Sequence, residues 1–133
     1  MRTVIVILAT IFIFLALDLT WITWIIKKLY ASHFGSLIRQ PYPRVGASLA
    51  AYFCIFVGIL WFGVMGGEGQ PLKALGCGAL FGFCSYGIYA FTNLAVFEPW
   101  TLKIACYEVL GGAVNCGLTS LLATLIAYRG IKV

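Results

Sequence analysis

The chain is short of charge. Only 10% of its 133 residues are Asp, Glu, Lys or Arg, and only four of those are acids. A soluble domain carries about a quarter charged residues, so this composition excludes a soluble globular domain and a disordered chain. The five cysteines contain no C-x-x-C pair and are odd in number, which excludes a disulfide-rich secreted module. There is one histidine, His33, and no H-E-x-x-H, G-x-S-x-G or phosphate-loop motif. Soluble-enzyme chemistry and a His-rich metal site therefore have no support, and no cofactor is expected. His33 reads as a wet surface residue. Cys77 and Cys84 share a helix face, but no second pair with ligand spacing joins them. Cys54, Cys77, Cys84, Cys106 and Cys116 read as small buried hydrophobes with inert thiols.

What is abundant is apolar. Hydrophobic residues make up 62% of the chain and mean hydropathy is +1.02. Four long apolar runs account for this: Thr3–Ile26, Val45–Met65, Ala74–Val96 and Ile104–Tyr128. About 20 apolar residues cross the hydrocarbon at a rise of about 1.5 Å each, so every run is long enough to span. The fold expected is all-α, a four-transmembrane-helix bundle forming a single integral membrane domain. The first run has no A-x-A site after it, and Trp21 and Trp24 sit near its end as interfacial anchors do, so it reads as a retained span rather than a signal peptide. The long connection Lys27–Arg44 contains Tyr30, Gly35, Pro41 and Pro43, and reads as a short helical extension followed by a turn.

The net charge of +5 comes from cations at the ends of the runs, where they meet lipid headgroups. No basic helix exists, so nucleic acid is not an expected partner; the lipid bilayer is. Arg44, Arg39, Lys27, Lys28 and Lys103 fall on the side of the first and third loops. Arg2, Lys73, Arg129 and Lys132 fall on the side of the termini. Five against four specifies orientation weakly, with a lean toward the first-loop side in the cytoplasm.

Two acids lie inside the runs, and an acid at membrane depth is costly enough to need a reason. Asp18 stands about 13 Å, and Glu108 about 7 Å, inside the same side of the membrane at helical rise. Gly82, Ser85, Tyr86, Tyr89 and Asn93 recur at spacings of three and four in the third run. Glu108, Gly111, Gly112, Asn115 and Thr119 do so in the fourth. Tyr52 reaches a similar depth to Asp18. Lipid-facing surfaces do not carry such stripes, so these faces should turn inward and form a polar column. Asn93 and Glu108 are expected at its mouth, Asp18, Tyr52 and Tyr89 deeper, and Asn115 deepest. The bland alternative is helix packing: Gly78-x-x-x-Gly82 and the Gly111-Gly112 pair let backbones approach, and the polar groups bond between helices.

Several stretches together resemble a known bacterial family. Leu17-Asp18 with Trp21 is similar to an L-D-x-x-W near the end of helix one. Tyr30–Ile38 is similar to Y-x-x-x-L-G-x-L-L, and Gly78-Ala79-Leu80-Phe81-Gly82-Phe83 to G-A-L-F-G-F. Tyr86, Tyr89 and Thr92-Asn93-Leu94 resemble Y-x-T-Y-D-L-T-N-L, followed by Trp100. Glu108 and Gly112 resemble D-x-x-W-G. The resemblance is to domain-of-unknown-function family 2177, four-helix membrane proteins. Ala90 stands where that pattern has an acid, Glu108 where it has Asp, and Gly111 where it has Trp. The resemblance implies a four-helix fold and placement in the bacterial inner membrane, and brings no activity.

Three functions remain open at this point. One is proton-coupled binding or transport of a small polar or cationic ligand at Asp18 and Glu108, in a homo-oligomer. Another is a structural or accessory subunit packed on other membrane subunits. The last is an enzyme acting on lipid with the two acids as general acid and base.

Overall fold

The computed structural model describes residues 1–38 and 42–129. Arg39, Pro41 and Lys132, which entered the loop and charge readings above, lie outside the described residues. The chain is 88% helical, with four helices long and apolar enough to cross a membrane. It is an all-α four-transmembrane-helix bundle in a lipid bilayer.

The first helix is longer than its apolar run. α1 (Arg2–Trp21) passes through a π-helical turn, Ile22–Ile26, straight into α2 (Lys27–Phe34) and a 3₁₀ turn, Gly35–Leu37. The pair Lys27-Lys28 does not end the helix; both side chains are exposed and α2 continues beneath them. Gly35 then adopts φ +41°, which a side chain would resist, and the helix stops. The second crossing is α3 (Val45–Gly58) with a π-helical continuation, Ile59–Met65. A tight turn follows, with Glu68 at φ 50° and Gly69 at φ 78°. Its Glu68 carboxylate holds Lys73 at 2.7 Å, which keeps Glu68 below the usual carboxylate range. Pro71 opens α4 (Pro71–Val96), three residues before the apolar run, because its fixed φ suits a first helical position. After Glu98-Pro99, the Thr101 hydroxyl accepts from the Ile104 amide at 3.3 Å and starts α5 (Leu102–Arg129).

α5 is the axis of the bundle. Of its most apolar stretch 56% is buried, against 17–22% for the other three spans. It packs along α4, against α1 and against Ile59–Met65. Its inward face is small and polar: Asn115, Cys116, Thr119, Ser120, Ala123 and Thr124 are all buried. This inverts the soluble rule. Lipid takes the apolar side chains and the polar ones turn inward, though the Thr119 and Thr124 hydroxyls meet no hydrogen-bond partner among the described residues.

Close backbone approach makes this possible. A Cβ on Gly78 would sit 2.6 Å from the Cys116 carbonyl oxygen, and one on Gly63 would collide with the Ser120 hydroxyl. Ser120 itself donates to the Cys116 carbonyl at 2.8 Å, so its polar group is satisfied within α5. A Cβ on Gly82 would strike the Gly112 carbonyl, and one on Gly112 the Tyr86 ring. Gly63 and Gly58, which abuts the Phe81 ring, were not marked by any spacing pattern.

α3 behaves differently. Val45–Gly58 makes few close backbone approaches to α1, α4 or α5 among the described residues. It is tied instead by side chains. Phe14, fully buried, meets the Tyr52 ring at 6.3 Å and the Phe56 ring at 5.7 Å. The cysteines differ from expectation as well: Cys116 is buried, but Cys54, Cys84 and Cys106 face outward toward lipid. A thiol is apolar enough to be tolerated there.

Candidate functional site

The gap left by α3 is a half-open cavity of about 920 Å³. α1 contributes Asp18 and Trp21, α2 Tyr30, α3 Tyr52, α4 Tyr86 and Tyr89, and α5 Glu108, Gly111, Gly112 and Asn115. The pattern on the first helix is regular. Asp18, Ile22, Ile26 and Tyr30 recur every four residues, and all line the cavity. Among the described residues, no group of His, Cys, Asp and Glu is arranged to hold a metal ion.

The polar lining forms two groups. In the inner one the Tyr52 hydroxyl donates to Asp18 Oδ2 at 2.8 Å, and Asn115 shares the same wall. In the outer one the Tyr30 hydroxyl donates to Glu108 Oε1. Tyr30 has a single hydroxyl hydrogen, so at 3.2 Å the Tyr89 hydroxyl is the donor to Tyr30. An aromatic cluster holds this outer group in place. Trp100 lies 5.8 Å from the Tyr30 ring, 5.5 Å from Tyr89 and 5.4 Å from Phe34. These rings dock α2 onto the ends of α4 and α5, which is how an extension outside the apolar run comes to roof the cavity.

Asp18 and Glu108 are 6% and 7% exposed, and Asn115 4%. Neither acid has a cation beside it; among the described residues the only ion pair is Glu68–Lys73. Lys27 reaches the cavity mouth but bonds to neither carboxylate. Tyr86 lies across Gly112, and its hydroxyl makes no hydrogen bond among the described residues. The Trp21 indole packs on Gly111, and its buried Nε1 has no partner among the described residues.

The sequence reading and the structure differ at three residues. Asn93 does not line the cavity; it is half-buried in the last turn of α4, where its carbonyl accepts from the Phe97 amide at 2.8 Å. Tyr89 belongs with Glu108 at the outer level rather than with Asp18. Ser85 turns its hydroxyl back onto its own helix, to the Phe81 carbonyl at 2.8 Å. Two residues were missed. Tyr30 was assigned to the loop beyond Lys27-Lys28, although its four-residue register with Asp18 was available. Trp21 was taken with Trp24 for an interfacial anchor, but of those two only Trp24 is exposed. His33 is exposed, its Nδ1 at 2.9 Å from the Leu29 carbonyl.

Comparison with family models matches residues 3–125 to a family described as "Predicted membrane protein (DUF2177)". The chain belongs to the DUF2177 family. No curated protein and no solved structure matches it. The match runs from α1 through most of α5, so every residue lining the cavity falls within the DUF2177 region.

Proposed function

We propose that this chain is a proton-coupled binding or transport protein of the bacterial inner membrane, acting as a homo-oligomer. Asp18 and Glu108 release a proton when a small ligand enters the cavity and take one up when it leaves. The observation that carries this reading is the cavity itself. If the polar residues served only to join helices, they would be packed against one another, as Ser120 is against Gly63 and Gly78. Here two carboxylates, four tyrosines and Asn115, several of them bonded to one another between helices, also line open space. Intramembrane acids that face a cavity are the usual sites of ion and proton exchange, and a few polar groups in a largely apolar concavity are the usual form of a ligand site. Four helices are few for a transport path, and a second copy supplies the missing wall.

Reconstitution tests this. Purified protein in liposomes with an imposed pH gradient should pass protons only when a permeant cation is offered on one side. Asp18→Asn should abolish that flux. Proteoliposomes of folded wild-type protein that pass no ligand-dependent proton current would overturn the coupled reading. The uncovered flank of α3 favours one other reading, a subunit of a larger complex whose neighbour covers that flank. Its signature is a second chain co-purifying at fixed stoichiometry in mild detergent.

A further inference from the structure

The geometry points to the class of ligand: an organic cation with an apolar body. This rests on the reading of the cavity as a ligand site and says what that site selects. Charge comes first. The acids of the cavity are Asp18 and Glu108, and the one lysine of its lining, Lys27, stands at the mouth, so a cation gains a carboxylate partner once a proton leaves and an anion gains none. The tyrosine rings add to the preference, since a cation over an aromatic face is attracted by the ring quadrupole. Tyr30, Tyr52, Tyr86 and Tyr89 all line the cavity.

Size and polarity narrow the class. At about 920 Å³ the cavity is far larger than a metal ion or ammonium needs, and lies within the range of about 300–1,000 Å³ that encloses drug-sized molecules. A metal ion also lacks its ligands here, since no cluster of three ligating side chains occurs among the described residues. The rest of the lining is mainly apolar, with Ile22, Ile26, Ala31, Ile38, Ala51 and Ile55 beside the polar Lys27 and Ser48. A small hydrophilic cation would leave those walls unmatched. An apolar body attached to the cation would cover them and leave water in doing so.

Equilibrium binding separates this inference from proton coupling, because binding needs no flux. The probe is tetraphenylphosphonium, titrated against the full chain in lipid nanodiscs with empty discs subtracted. Triphenylphosphine oxide serves as the neutral aromatic control and choline as the small hydrophilic cation. Saturable binding of tetraphenylphosphonium is expected, with the neutral control weaker by about tenfold or more. Asp18→Asn and Glu108→Gln should each weaken the cation by about tenfold and leave the neutral control unchanged. Binding should also weaken on acidification, because protonating either carboxylate removes the attraction. Ala51→Trp, a change at an exposed position on the wall, should block the probe while the protein keeps its helical circular dichroism. Equal binding of cation and neutral control would overturn the charge assignment. Choline binding without tetraphenylphosphonium binding would overturn the apolar body and leave the ligand site standing. No binding of either cation would overturn the inference outright, and the proton-flux experiment would then decide the earlier reading by itself.

Discussion

At the scale of single residues, Asp18 and Tyr52 form the most informative contact. The Tyr52 hydroxyl donates to a carboxylate that is almost wholly buried. Asp18→Asn keeps a carbonyl acceptor of the same size, so the fold should survive with little change in thermal unfolding. Asp18→Ala removes the acceptor and leaves the hydroxyl unpaired, which costs about 1–3 kcal/mol. Thermal unfolding in mild detergent compares the two. If the Ala variant melts with wild type, water already satisfies Tyr52 and the bond is incidental. Which residues were legible in the sequence follows from the same chemistry. Asp18, Glu108, Tyr52 and Asn115 stand out because a polar group in an apolar run has few explanations. Tyr30 does not, because two lysines before it imitate the end of a span, and only the docking of α2 on Trp100 carries it inward. Asn93 was legible as to helix face and misleading as to height: spacing fixes the side of a helix, not where along it a cavity lies.

At the scale of helices, close approach is concentrated at a few glycines and absent at others, which gives an internal control. Gly82 and Gly112 face occupied space, whereas a Cβ at Gly76 would meet nothing within 4 Å. Gly82→Leu and Gly112→Leu should each destabilise by about 1–3 kcal/mol through overpacking, and Gly76→Leu should not. Thermal unfolding of the three variants decides it; equal behaviour would mean that the α4–α5 seam is looser than its geometry. The four crossings could be found from hydropathy alone, since length and composition are what a bilayer demands. Two things could not. One is the extension of the first helix, which tertiary aromatic contacts hold rather than propensity. The other is the splay of α3, whose sequence is as apolar and periodic as that of its neighbours.

At the scale of the molecule, four crossings place Arg2 and the turn around Gly69 on one membrane face and the turn around Glu98 on the other. Single cysteines at those three positions, in a chain whose own cysteines are replaced, should label accordingly with a membrane-impermeant maleimide. Labelling of Arg2 and Gly69 from opposite sides would break the four-helix topology. The nearly even split of Lys and Arg between the faces is weak guidance for which face is cytoplasmic. Should both orientations label in one preparation, the even split is the physical reason.

The central position of α5 carries a consequence for how the molecule is made. A ribosome releases the chain from its amino end, so the helix that every other span packs against is the last to be synthesised. Until it arrives, Asp18 has entered the bilayer without the wall that later encloses it, and Gly63 and Gly78 have no Ser120 to close upon. The early spans must therefore wait as a looser group, joined by contacts such as Tyr52 to Asp18 and Phe14 to Phe56. Assembly is then completed by a single late arrival, and a nascent chain cut short before α5 lacks the wall that carries Glu108 and Asn115.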